Sequence, residues 1–174
     1  MYQLKKQFNI MNRKDIFDRS IAVLVKAYQD NTLQAVNCYA CAVGNLVAAQ
    51  AGVKYIQHPD VEDEYFKWDT KIEPDWFDAM CATRDGGDWL DKEQFTRGCV
   101  QIATTGYTMK EVILIEDAFE NTYSSYSKHD GHDPMFEAMM GVYKVLCEIH
   151  EIDKPSKGEE VFVKPTEKVV ACNV

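Results

Sequence analysis

Apolar residues recur at helical spacing through most of this chain and divide it into amphipathic segments separated by polar turns. Phe17, Ile21, Leu24, Val25 and Tyr28 form the first stripe, at the three-and-four spacing that gathers side chains on one helix face. Asn12 is placed to cap that helix, and Asp15 falls in its first turn, where a carboxylate meets the positive end of the helix dipole. Asn31 and its polar neighbours stop it. A second helix is predicted from a cap at Asn37, through Leu46, Val47 and a run of alanines, to Gly52. Its small residues, Ala42, Gly44, Ala48 and Ala49, predict a closely packed, central element.

Val53 to Ile56 reads as a short extended piece ended by Pro59, and Asp60 to Trp68 as one or two helical turns. Pro74 suits the first position of a third helix running through Ala82, with Gly86-Gly87 as its break. A fourth helix is predicted over Trp89 to Ile102, and Gly106 separates it from the next. Thr108 and Glu111 have the spacing of a capping box, in which hydroxyl and carboxylate satisfy each other's backbone donors. The helix they open carries Val112, Ile113, Ile115 and Phe119. After a polar stretch over 121–132, Asp133-Pro134 starts a last helix with Phe136, Met139, Met140, Tyr143, Leu146 and Ile149 on one face. The fold class expected is mainly α: a compact bundle of five or six helices forming a single domain over 1–153. The charged, irregular tail over 154–174 offers at most one short strand, Val161 to Val163.

A length of 174 residues with 46% hydrophobic and 27% charged content fits one globular domain with a core. The net charge of −9 argues against a nucleic-acid backbone or an anionic membrane surface as partner. No apolar run approaches the roughly 18–20 residues that cross a bilayer, and Met1 to Ile10 lacks the apolar core of a secretory signal. The six cysteines are therefore expected as reduced thiols of a cytoplasmic protein. The charge is uneven. Residues 60–93 hold twelve acids against four bases, a net of −8, and all three tryptophans, Trp68, Trp76 and Trp89. Such a segment suits a face that docks a basic protein partner; the alternative is a solvated acidic face whose tryptophans turn into the core.

The candidate chemistry centres on Cys38 and Cys41, three residues apart at the predicted start of the second helix. Thiols at a helix N-terminus lean toward thiolate, the form that binds metals and attacks electrophiles. As half of a tetrahedral zinc site the pair needs two more ligands, for which Cys81, Cys99, His129 and His132 are candidates. As a redox pair it lacks the preceding hydrophobic strand, since Gln29 to Val36 is polar. As a nucleophile, Cys41 (or Cys38) would take His129 or His132 as base and Asp133 as orienter. The remaining alternative is that both cysteines are small buried hydrophobes. The loop Lys128 to Asp133, with two imidazoles and two carboxylates, is a second metal candidate, although such residues are ordinary in turns. Glu116 with Glu120, and Glu148 with Glu151, pair carboxylates on helix faces, but the Glu-x-x-His pattern of a di-iron bundle is missing. They read as solvated faces.

The segment Asn37-Cys-Tyr-Ala-Cys-Ala-Val-Gly-Asn45 with the Leu-Val-Ala-Ala that follows, taken with Gly106-Tyr107, Ile115 to Glu120 and Met135 to Ile152, resembles small uncharacterised proteins of Bacteroidetes and their phages. The resemblance implies a cytoplasmic, phage-associated origin and carries no activity with it. Two expectations follow from the whole reading. The leading one is a non-enzymatic accessory protein that binds a protein partner, with Cys38 and Cys41 in a thiol or zinc site. The competing one is a cysteine-dependent enzyme, a hydrolase or thiol redox protein.

Overall fold

The computed structural model describes residues 12–57, 65–87, 89–127 and 131–152. His129, the 58–64 segment and the tail with its expected strand lie outside them. Among the described residues six helices are formed: α1 (Arg13–Gln29), α2 (Ala42–Ala51), α3 (Asp75–Asp85), α4 (Lys92–Thr105), α5 (Met109–Tyr126) and α6 (Pro134–Ile149). A two-stranded antiparallel ribbon, β1 (Tyr55–Gln57) with β2 (Phe66–Trp68), completes the fold. The fold is mainly α. No described helix is long and apolar enough to cross a membrane.

The polar punctuation of the chain sets most of these boundaries. Asn12 accepts the Asp15 amide, Asp91 those of Glu93 and Gln94, and Asp133 those of Met135 and Phe136, each satisfying amides that the first helical turn leaves unpaired. The capping box is formed in both directions, with the Glu111 carboxylate returning to the Thr108 amide at 2.8 Å. Gly52, Gly86 and Gly106 close α2, α3 and α4.

Two predicted elements differ. The second helix begins at Ala42, four residues after the predicted start, because Asn37 holds a turn instead of capping a helix. Residues 66–68 form a strand, not helical turns. Tyr55 lies opposite Trp68 and Gln57 opposite Phe66, and aromatic residues on a pleated, half-buried surface favour that pairing over a helix.

α2 lies at the centre, with Ala42 to Ala48 all buried. It packs against α1, α4 and α5, while α5 runs along α6 and α3 along α4. The α3–α4 approach is close enough to require Gly98: a Cβ there would stand 2.3 Å from the Asp75 carbonyl oxygen and 2.5 Å from Ala79 Cβ. Trp76, Phe119, Leu24, Met80, Ile115, Met139 and Leu146 fill the interior.

Candidate functional site

The cysteine motif folds as a clamped turn. Asn37 is buried and its side-chain oxygen accepts the Tyr39 amide, while its own carbonyl accepts the amides of Ala40 and Cys41. Its Nδ2 donates to Gln34 Oε1 at 2.6 Å and to the Phe66 carbonyl at 2.9 Å, tying the turn to β2. The carbonyls of the motif are each taken by a side chain. Trp76 Nε1 donates to Cys38 O at 3.1 Å; Trp68 Nε1 and the Tyr55 hydroxyl both donate to Tyr39 O at 2.9 Å; Asn45 Nδ2 donates to Ala40 O and Cys41 O. Gly44 packs so closely on this turn that a Cβ would fall 2.5 Å from Cys38 O. Asn37, Gly44 and Asn45 thus have structural assignments, and so do two of the three tryptophans.

That assignment removes Trp68 and Trp76 from the docking face proposed for them. Both are fully buried, satisfying the turn's backbone oxygens with their indole N–H groups, and only Trp89 of the three is exposed.

The thiols fit the alternative of buried packing better than that of an activated pair. Cys41 is wholly buried and is itself the N-cap of α2, its Sγ accepting the Gly44 amide at 3.3 Å. Desolvation raises its pKa well above the ordinary thiol value, the nearby Glu116 adding to the effect and the Gly44 amide opposing it. Burial pushes the half-buried Cys38 thiol up to about 11. The helix terminus does not win, because removing a thiolate from water costs more than the dipole returns. Cys99 lies on α4 and His132 beside Tyr126 and Glu137 at the start of α6. Among the described residues no group of three or more His, Cys, Asp or Glu is placed to hold a metal ion.

Cys38 and Cys81 both line a cleft of about 480 Å3 bounded by the 36–38 loop, Tyr65, α3 and α5. α3 contributes Phe77, Met80, Cys81 and Arg84; α5 contributes Glu116, Asp117, Glu120 and Asn121. These positions repeat at three and four residues along each helix, so two facing stripes make the walls.

Glu116 is the unusual member. It is only 4% exposed, and its Oε2 is buried with no hydrogen-bond partner among the described residues. Desolvation raises its carboxyl to about 7, with Glu120 adding to the shift; hydrogen bonding from the Cys41 thiol and the Val43 amide, and the charge of Arg84, oppose it. The solvated face expected for Glu116 is therefore wrong for this residue. Glu120 is half-buried, with its carboxyl also raised by desolvation, and it accepts the Val36 amide at 2.9 Å. Val36 has φ +58° and is 84% exposed. A β-branched residue in the left-handed region is strained, and here no burial of its side chain compensates. Arg84 is held at the rim by Asp117, Nη2 to Oδ1 2.6 Å.

The cleft thus has apolar side chains at Met80 and Phe77, an acidic wall and one cation already paired. It can take up a donor group; its thiols are held in the protonated form. Sequence reading missed Glu116, Glu120 and Val36 as site residues. The signal for Glu116 was its position within the apolar stripe Val112, Ile115 and Phe119, all buried in α5. Compared with known protein families, curated proteins and solved structures, the chain matches none.

Proposed function

We propose that this protein acts by binding a small organic molecule in the cleft between α3, α5 and the 36–38 loop, with Glu116 as the anchoring group. The observation that carries the reading is the cleft itself, into whose wall α5 sets Glu116, a carboxyl only 4% exposed. The cleft volume of about 480 Å3 lies within the range of small-molecule pockets, about 300–1,000 Å3. The strain at Val36 belongs to the same wall, and strained backbone gathers at ligand sites.

This reading keeps the protein among binding proteins and gives the cysteine motif a supporting part. The clamped turn carries Cys38 into the cleft and presents Val36 at its edge. Thiol catalysis has little support, since neither Cys38 nor Cys41 is poised as a thiolate.

Fragment screening by amide chemical-shift mapping tests the reading. Fragments should perturb the amides of Val36, Cys38, Cys81 and Glu120 together, and Cys81→Phe, which fills the cleft from α3, should abolish those shifts. A screen in which no fragment perturbs that set, or in which Cys81→Phe leaves the shifts intact, overturns it.

A further inference from the structure

The two-stranded ribbon has two outer edges, and they are treated differently. Tyr55 lies opposite Trp68, Ile56 opposite Lys67 and Gln57 opposite Phe66, and the Asp69 amide donates to Lys54 O at 2.7 Å. Hydrogen bonding alternates along an antiparallel pair, so Lys54 and Ile56 turn their backbone groups toward β2. Tyr55 and Gln57 then turn theirs outward on one side, and Phe66 and Trp68 on the other. On the β2 side, Gln34 Oε1 accepts the Phe66 amide and Asn37 Nδ2 donates to the Phe66 carbonyl, each at 2.9 Å. Two side-chain amides stand where a further strand would. On the β1 side, no described residue bonds the outward amides and carbonyls of Tyr55 and Gln57. Ile56 and Gln57 are exposed, and β1 holds no proline or charge that would keep another strand away.

Beside this edge lies a groove of about 220 Å3. It is lined by Val53 and Tyr55 together with Val23 and Ala27 of α1 and Ala48 and Ala49 of α2. Its two charged lining residues, Lys26 and Asp30, are paired with each other. An apolar cavity of about 150 Å3 admits benzene, so the groove has room for a phenyl ring. An open strand edge next to an apolar socket binds an extended peptide: main-chain bonds hold it, and a side chain fills the socket.

The chain carries such a peptide. We propose that Val161-Phe162-Val163, which lies outside the described residues, adds to the free edge of β1 as a third strand and seats the Phe162 ring in the groove. Side chains alternate between the faces of a strand. With Phe162 opposite Tyr55, the ring shares the groove's face and a neighbouring valine falls beside Ile56, a favourable β-branched pair. The chain also has the reach. Arg13 Nη2 donates to Ile149 O at 3.1 Å, so α6 ends beside the first turn of α1. Val23 and Ala27 lie about 15–21 Å further along α1 at the helical rise per residue. Residues 153–160, fully extended, span about 26–29 Å.

Amide hydrogen exchange on the full chain, read by NMR, tests this. Tyr55 and Gln57 amides should exchange about tenfold or more slowly in the wild-type protein than in Phe162→Asp, which puts a carboxylate in place of the ring. The Ile56 amide, directed at β2, and the amides of α2 should be unchanged and report that the variant is folded. Equal exchange at Tyr55 and Gln57 in the two proteins overturns the proposal, since fast exchange leaves the edge open and slow exchange gives it to another segment. Slow exchange in the wild type that quickens on dilution puts the strand of a second copy on the edge and overturns the intramolecular assignment. Wild-type rates at those two amides as fast as in an unstructured peptide decide against it without any variant.

Discussion

Glu120 Oε1 accepts the backbone N–H of Val36 at 2.9 Å, joining residues 84 apart in sequence. This contact fastens the loop before the cysteine turn to α5, and it does so at a residue whose φ of +58° is unfavourable for any β-branched side chain. The left-handed conformation costs an L-residue about 1–2 kcal/mol, and asparagine tolerates it best after glycine. Val36→Asn should therefore raise the unfolding free energy by about 1 kcal/mol, since a side chain 84% exposed loses no packing. Urea denaturation checks this. A destabilised variant would mean that Val36 makes contacts its exposure does not reveal.

Glu116 makes stability depend on pH in the direction opposite to a salt-bridged carboxylate. Its carboxyl ionises near 7 in the folded protein and near 4.5 in the unfolded chain. Below about 4.5 both states hold the proton and the contribution is fully present. As pH rises through 4.5 to 7 the unfolded chain releases the proton first, and stability is lost. The loss attributable to this group between pH 5 and pH 8 is about 2–3 kcal/mol. Glu116→Gln keeps the shape without the titration, so the difference in unfolding free energy between variant and wild type should grow by that amount between the two pH values. A constant difference would show that Glu116 ionises at the ordinary carboxylate value.

Gly44 tests the clamped turn. Alanine is the better helix former by about 1 kcal/mol, so on propensity alone Gly44→Ala should stabilise α2. The added Cβ would stand 2.5 Å from Cys38 O and 2.7 Å from Tyr39 C and O. That backbone is held by Trp76, Trp68, Tyr55 and Asn45 and has little freedom to yield. Overpacking against fixed backbone should win, with a net loss of about 3 kcal/mol. Thermal unfolding decides between the two effects, and a neutral or stabilising result would refute the clamp.

The helices were legible because their signals are local. The Asn12, Asp133 and Thr108–Glu111 caps and the glycines at 52, 86 and 106 each act within one turn of the chain and hold in the structure, while the buried face of α1 is Ile16, Ser20, Leu24, Ala27 and Tyr28, shared with the predicted stripe only at Leu24 and Tyr28. The cysteine motif was recognisable as special, but its role was not, because it depends on partners far away. Asn37 would serve equally well as a helix cap in isolation; only the pairing with Gln34 and Phe66 fixes it in a turn. Trp68 and Trp76 followed the same rule, with acidic neighbours suggesting a surface while their indoles reach inward to backbone oxygens; Trp89 stays exposed. Glu116 was missed for another reason. Charged residues on a helix face normally mark the solvent side, and the local pattern that placed it among Val112, Ile115 and Phe119 was outweighed by its charge.

The thiols supply the last prediction. A thiolate fraction set by a pKa of about 11 in place of 9.0 is lower by about a hundredfold near neutral pH. Alkylation proceeds through the thiolate, so Cys38 should react with iodoacetamide about a hundredfold more slowly than a solvent-exposed model thiol, although part of its surface is accessible. Cys41 and Cys147 are buried and should be modified only when the protein unfolds. Peptide mass spectrometry after timed labelling at pH 7 resolves these sites individually. Cys38 labelled faster than the model thiol would mean that the α2 terminus dominates over burial after all. The cleft would then contain an activated nucleophile, and the cysteine-enzyme alternative would displace the binding reading. Slow labelling at Cys38 that accelerates on mild unfolding would instead tie its protection to the folded cleft, as expected for a thiol held protonated beside Glu116.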